Sequence, residues 1–170
     1  VIGGTTALSS LDINQAGGVG TSELASVGAG ATEETQDGVA GVSRIGNANT
    51  ASITLDGTNY NFAGATTFTA AAGENIDLTG AGTTTFTLSS DAITFATSNI
   101  SLANGKNLVV NSNGGAIAAL TINGTSSEDV TLNANDGADG DSDFETVTVG
   151  AIGTTVANGT NTVAITGRDG

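Results

Sequence analysis

The sequence predicts an all-β fold, and a parallel β-solenoid fits it best. Apolar side chains recur at positions i and i+2 in short runs, which places both on one face of a strand. The clearest runs lie within residues 75–110 and follow one another every seven to ten residues, separated by Gly, Ser, Asn and Asp. The chain contains 26 Gly and no Pro, so every strand residue keeps its N–H for a ladder hydrogen bond. A positive mean hydropathy of +0.11 favours a folded chain over a disordered one.

The first fifty residues are less regular than the remainder. Leu8, Leu11 and Ile13 predict a first strand, whereas residues 15–41 contain Gly pairs and an acidic cluster and predict a long loop or two poorly ordered strands. A short helix over residues 21–27 is an alternative there, because Thr21 or Ser22 could cap it. The acidic cluster, Glu33, Glu34 and Asp37, is interpreted as a solvated loop.

From residue 51 onward the alternation is regular. Ile53 and Leu55 precede Asp56-Gly57, and Tyr60 with Phe62 follow, which predicts two strands joined by a hairpin turn or a sharp corner. Further strands are predicted at the later apolar pairs Ile76/Leu78, Phe86/Leu88, Ile93/Phe95, Ile100/Leu102, Leu108/Val110, Val130/Leu132 and Val163/Ile165, and at two looser groups, Ile117, Leu120 and Ile122, and Val147, Val149 and Ile152. The chain therefore divides into a looser β segment with an acidic loop (1–50) and regular short-strand repeats (51–170), within one continuous unit.

Two architectures accommodate such strands: a β-solenoid and a β-sandwich that exchanges a donor strand. Very short strands, few aromatic residues, repeated Asn, Gly and Ser corners and persistent i, i+2 pairs favour the solenoid. With ~20 residues per coil and ~4.8 Å between coils, the chain would form about eight coils and a rod of roughly 40 Å.

Composition excludes several classes of function. Without His or Cys the chain lacks an imidazole base, a thiol nucleophile and the common transition-metal ligands, so no enzyme is predicted. A net charge of −14 disfavours nucleic acid, and no apolar run approaches the ~20 residues of a membrane span. A Ser nucleophile would have no His partner, and a glycosidase pair drawn from Glu128/Asp129 and Asp143/Glu145 has no aromatic sugar platform beside it.

The acidic stretch 136–143 is the candidate site for a cation. Several carboxylates stand there on a Gly-rich backbone, which suits the oxygen-ligand preference of Ca²⁺. The candidate ligands are Asp136, Asp139, Asp141, Asp143 and Glu145. The Asp-x-Asp-x-Asp spacing copies the start of an EF-hand loop, but Phe144 and Gly150 stand where that loop has its Gly and its bidentate Glu. A solvated acidic turn remains the alternative.

Several phrases resemble repeats of giant bacterial surface proteins: TAAAGENIDLTGAGTTTFTLSSDAITF, SLANGKNLVVNSNGGAI, GTSSEDVTLNANDGADG and VTVGAIGTTVANGTNTVAITG. They are similar to filamentous-haemagglutinin-like and autotransporter-passenger chains, over residues 52–170. The resemblance implies a right-handed parallel β-helix and an exported, cell-surface adhesive or scaffolding role, with no catalytic residues to carry over.

The leading expectation is therefore a structural unit of an extracellular filament, sheath or large surface adhesin. Its partners would be copies of itself stacked head to tail, because neither end of the sequence supplies a polar cap. A pilin-like or surface-layer subunit that donates residues 1–13 as a strand is the alternative. A carbohydrate-binding surface module that contacts glycans is the third hypothesis.

Overall fold

The computed structural model describes residues 2–4, 6–28, 38–125, 127–135, 145–154 and 162–167. Within them the chain forms fourteen β-strands and no helix. The strands are β1 (Leu11–Ile13), β2 (Thr21–Leu24), β3 (Ser43–Ile45), β4 (Ser52–Leu55), β5 (Asn59–Phe62), β6 (Thr66–Thr69), β7 (Asn75–Leu78), β8 (Thr83–Leu88), β9 (Ile93–Leu102), β10 (Asn107–Asn111), β11 (Ile117–Gly124), β12 (Val130–Asn133), β13 (Val147–Thr154) and β14 (Val163–Thr166). No described helix could cross a membrane.

The strands form a parallel β-solenoid with three faces. The first face stacks β1, β3, β6 and the first halves of β9, β11 and β13. The second face stacks β2, β4, β7 and the second halves of the same three long strands. The third face stacks β5, β8, β10, β12 and β14. Every strand pair is parallel, which favours the solenoid over the antiparallel hairpins of a typical sandwich.

The described residues make six coils, each running from the first face to the second and then the third. Successive first-face partners are Leu11, Ser43, Thr66, Ile93, Ile117 and Val147, so the coils span 32, 23, 27, 24 and 30 residues from one partner to the next. The prediction of eight coils of ~20 residues was wrong. The corners contain more residues than the prediction assumed, and the first and fifth coils are the longest, at 32 and 30 residues.

The corner between the first and second faces shortens along the solenoid. It spans residues 14–20, 46–51 and 70–74 in the first three coils. In the fourth coil β9 continues through the corner, with Thr97 in the left-handed region at φ 59°. The Ser98 hydroxyl there accepts a 2.8 Å bond from the N–H of Ala70. The predicted separate strands at Ile93/Phe95 and Ile100/Leu102 are therefore one bent strand.

The core lies inside the three faces, and the predicted apolar pairs fill it. Both members of each pair from Ile53/Leu55 to Leu108/Val110 are buried. Tyr60 and four aromatic neighbours form one contact group, in which Phe68 stacks on Phe95 at 5.3 Å and Tyr60 on Phe86 at 5.1 Å. Such pairs add about 0.5–1.5 kcal/mol each beyond their burial, so this group anchors the second to fourth coils.

Two local predictions for the first half of the chain are decided by the structure. The alternative helix over residues 21–27 is wrong, because Thr21–Leu24 is strand β2 and pairs with β4 in register. Asp56-Gly57 is the sharp corner rather than the hairpin, because β4 and β5 belong to different faces. Ladder pairing with the next coil outweighs the weak local capping signal at Thr21 and Ser22.

The third face of the first coil is interrupted rather than continuous. Val27 pairs with Tyr60 and Val39 pairs with Phe62, although twelve positions separate the two valines and only two separate their partners. Residues 29–37, including Glu33, Glu34 and Asp37, connect them and lie outside the described residues. Two residues that are far apart in the sequence, Val27 and Val39, therefore occupy the position on the third face that a continuous strand occupies in the later coils.

Candidate functional site

The candidate functional site is the pair of open ends of the coil stack. At one end, β13 pairs with β11 and β14 pairs with β12, and no described strand covers their outer edges. At the other end, β1 and β2 pair with β3 and β4 and likewise carry no strand beyond them among the described residues. Each end therefore presents ladder groups that pair with no described strand, and such edges are templates for adding another parallel strand.

Apolar side chains of the core columns reach the surface at the β13 and β14 end. Val163 and Ile165, which occupy inward positions of the third face, are 46% and 53% exposed. Val147, Val149 and Ile152 are only partly buried and pack against the core from one side. Monomeric proteins rarely expose contiguous apolar patches of this kind without a partner.

The opposite end presents residues from the same columns. Leu11 and Val147 stand at the two ends of one first-face column, and Ile13 and Val149 at the two ends of the neighbouring column. Leu11 and Ile13 are partly buried against the core. The two ends of the first face therefore match in the positions of their inward residues, in strand direction and in the apolar character of those side chains.

The leucine column of the second face ends before the β13 end. Leu24, Leu55, Leu78 and Leu102 occupy it in successive coils, and the register that pairs Ser101 with Asn123 places Gly124 next. Glu128, which is 2% exposed, lies against Gly124: a Cβ added there would come 2.5 Å from Glu128 Oε2. A small apolar cavity of about 20 Å³ remains beside them.

Glu128 is held by backbone donors from its own and the preceding coil. Its carboxylate accepts hydrogen bonds from the N–H of Gly105 at 3.0 Å and the N–H of Thr125 at 2.8 Å. Neighbouring Asp129 accepts a 3.0 Å bond from the N–H of Thr162. The carboxylates of Glu128 and Asp129 therefore accept hydrogen bonds from backbone N–H groups at the corners of the coils. Asp143, which was considered as a glycosidase partner for them, lies outside the described residues.

The predicted calcium ligands are only partly described. Asp136, Asp139, Asp141 and Asp143 lie outside the described residues, so their arrangement stays a prediction. Glu145 is described and is 6% exposed, and its Oε2 has no hydrogen-bond partner in the part of the chain that the structure describes. Within that part no three acidic side chains lie close enough together to share a metal ion.

A shallow cleft of about 170 Å³ opens on the outside of the second face. Thr54, Asp77, Ser101 and Thr125 are among its lining residues, so it offers hydroxyl groups and one carboxylate. These groups can form hydrogen bonds with sugar hydroxyls, but no aromatic side chain lines the cleft. The glycan-binding hypothesis stays a prediction.

Comparison of the chain with protein-family models, with curated proteins and with solved structures found no match.

Sequence reasoning found the end columns but missed the corner acid. The apolar pairs at β13 and β14 were predicted strands, and the structure adds that their inward side chains lie uncovered. Glu128 carries no local signal of burial, because an acid in a Gly/Thr/Ser-rich turn normally points into water. Only the Gly at position 124, which follows leucine in the four preceding coils of its column, could have indicated that another side chain fills the space.

Proposed function

We propose that this chain is a structural unit of an extracellular filament, sheath or large surface adhesin, assembling end to end through β-strand stacking. The observation that carries the proposal is the pair of open, positionally matched ends of the solenoid. The coils are right-handed in this proposal, since a crossover between parallel strands of one sheet is right-handed in about 98% of cases. The resemblance to filamentous surface-protein repeats supports the same assignment.

Stacking one end on the other continues an interface that already exists inside the molecule. Each internal coil buries its inward apolar pair between the coils above and below it, and its strands bond in parallel register on both edges. A second copy placed with Leu11 and Ile13 against Val147 and Val149 would extend both the ladder and the columns. Leu11, Ile13, Val147 and Val149, which are only partly buried, would then lose their contact with water, which favours association.

The two ends differ from each other, so their contact is heterologous. A heterologous contact that does not close into a ring produces an open filament, whereas a symmetric contact stops at a dimer. An extracellular location fits a coat carrying a net charge of −14, which keeps a filament soluble. The function is mechanical, carried by backbone ladders and a continuous apolar column.

Variants that block one end of the solenoid test whether copies associate head to tail. L11E places a carboxylate at one end of the first-face column, and V149E places one at the other end of the neighbouring column. Each variant alone should remain monomeric in sedimentation velocity, while an equal mixture should form one-to-one dimers and nothing longer, because one intact junction remains per pair. T94E, on the outward side of the first face, is the matched control and should assemble like the unmodified chain.

A symmetric contact gives a different pattern in the same experiment. If L11E or V149E dimerises with itself, the head-to-tail contact is wrong. If the unmodified chain stays monomeric at every concentration, assembly by the free ends is wrong.

A bound Ca²⁺ is the second proposal, and Glu145 favours it. A buried carboxylate oxygen without a described partner is costly, and a cation held together with acids of the 136–143 stretch would satisfy it. Calorimetric titration should show Ca²⁺ binding that E145Q weakens and that E23Q, an outward acid on the second face, leaves unchanged. Equal loss in both variants, or no heat from Ca²⁺ beyond that from Mg²⁺ at matched ionic strength, would contradict a specific site.

A further inference from the structure

The third face of the solenoid contains one level more than the other two. Six levels make up each of the first and second faces, from β1 and β2 to β13. On the third face, Ile2 and Leu8 pair with Val27 and Val39 and form a level that precedes the first coil. Five strands follow above the valines, ending in β14, so the third face counts seven levels.

End-to-end stacking brings the additional level of one copy onto β14 of the other. When β1 and β2 of one copy continue the ladders of β13 in another, the two copies are offset by six levels. On the third face the Ile2/Leu8 level of the incoming copy then arrives at the place that β14 occupies. Register pairing through Val27, Tyr60, Phe86 and Val110 puts Ile2 opposite Leu132, where Ile165 otherwise lies.

The contacts of the two competing segments indicate which one yields. All four residues of β14 are exposed, and its ladder bonds are to β12 on one side. The Ile2/Leu8 level is tied to the first coil by several backbone bonds, including Ile2 N–H to Ser26 O at 3.0 Å and Gly38 N–H to Gly3 O at 2.6 Å. Gly3 also lies so close to Gly38 that a Cβ would come 2.0 Å from its carbonyl oxygen.

An interrupted level can also rest on a continuous strand. Val27 and Val39 already do so against Tyr60 and Phe62 of β5, with the N–H of Val27 bonded to Asn59 O and the N–H of Val39 bonded to Asn61 O. Ile2 and Leu8 form another interrupted level one coil earlier, and they pair with the same two valines. The edge of β12 can therefore accept them in the same way once β14 has left.

We propose that β14 is an exchangeable strand and that the Ile2/Leu8 level of a second copy of this chain replaces it against β12. The inference rests on the proposed end-to-end assembly and specifies its junction. It also joins the two assembly hypotheses, because a stacked junction would then include a contribution from the amino-terminal residues of the neighbour.

A disulfide that locks β14 tests the exchange. Thr131 and Ala164 are directly paired across β12 and β14, and adjacent strands lie at a spacing that a disulfide can bridge. The chain contains no Cys, so T131C/A164C forms one defined cross-link. T85C/V109C, which joins the internal strands β8 and β10, is the matched control.

Sedimentation velocity of both variants, oxidised and reduced, gives the readout. Oxidised T131C/A164C should lose assembly and regain it on reduction, while the control assembles in both states. If oxidised T131C/A164C assembles as well as its reduced form, β14 is not displaced and the exchange is wrong, while end-to-end assembly stands. If the unmodified chain and the reduced variants all stay monomeric, the proposed assembly fails and the exchange fails with it.

I165D gives a second reading that does not depend on cross-linking. A strand that leaves the junction can carry a charge there without cost, so I165D should assemble at least as well as the unmodified chain. Loss of assembly in I165D, with V149E monomers and T94E filaments unchanged, would show that β14 itself forms the junction.

Discussion

The Tyr60 hydroxyl, buried in the second coil, donates a hydrogen bond of 2.7 Å to the carbonyl oxygen of Leu24 in the first coil. The hydroxyl oxygen of Tyr60 in turn accepts a bond of 3.0 Å from the N–H of Gly57. Burial raises the pKa of this hydroxyl well above its ordinary value, the bond from Gly57 lowers it, and the nearby Asp56 carboxylate raises it. Tyr60 thus joins two coils, because its ring packs in the core and its hydroxyl forms hydrogen bonds at the corner.

Y60F should destabilise the protein by about 1–3 kcal/mol, because the N–H of Gly57 loses its acceptor and the carbonyl oxygen of Leu24 loses one of its two donors. Urea denaturation followed by circular dichroism measures the change. T94V removes a hydroxyl from the outward side of the first face and should change the free energy of unfolding by less than about 0.5 kcal/mol. Equal losses in the two variants would contradict a structural role for the Tyr60 bond.

The stability of the folded chain should fall as the pH rises above about 10. Tyr60 is the sole tyrosine, and its folded pKa lies above the unfolded value of 10.0. Its contribution is therefore complete below pH 10 and decreases once the unfolded chain releases the proton and the folded chain retains it, by at most about 1.4 kcal/mol per pH unit. Tyrosinate absorbance should appear together with unfolding, and Y60F should remove this part of the pH dependence. Absorbance that rises in the folded state would contradict it.

G57A should prevent folding or cost several kcal/mol. A Cβ on Gly57 would lie 1.1 Å from the carbonyl oxygen of Ala25 in the coil before it, and a backbone atom cannot move aside cheaply. G18A is the matched control, since no atom lies within 4 Å of a Cβ added there and the backbone is not in the left-handed region. Thermal unfolding should show a large loss for G57A and little change for G18A; similar melting temperatures would mean that the corner is wider than described.

E128Q should destabilise the fifth coil by about 1–3 kcal/mol. The carboxylate accepts from two backbone N–H groups and the Thr125 hydroxyl, whereas an amide would direct its own donors at some of them. Hydrogen exchange should report the loss at Gly105 and Thr125, whose amides become less protected. E74Q, at an exposed corner residue, should leave exchange unchanged, and unaltered protection in E128Q would contradict the assigned bonds.

The local pattern predicted which side chains face the core, and the structure confirms this from Ile53 to Val110. That success has a simple cause, since strand alternation is local and each apolar pair faces inward whatever its partner is. Coil length could not be predicted in the same way. It depends on how many residues each corner holds, and corners of seven residues or of one leave the same alternation on either side.

Buried positions that carry a polar residue could not be predicted from the sequence either. Ser22 is buried in a column that contains isoleucine in every later coil, and Ser43 is buried beside Thr66 in a column that contains isoleucine only from Ile93 onward. A polar residue at such a place is typical of a loop in the sequence. Val27 and Val39 look unrelated because nine undescribed residues and two glycines separate them. Their common level exists only through pairing with β5, which is a contact between coils.

X-ray fibre diffraction from aligned assemblies tests end-to-end stacking. If copies stack end to end, every coil lies across the filament, and the spacing of about 4.8 Å between neighbouring strands must run along the filament axis. Such stacking predicts a strong meridional reflection at this spacing. A reflection of the same spacing on the equator would place the strands along the filament and contradict end-to-end stacking.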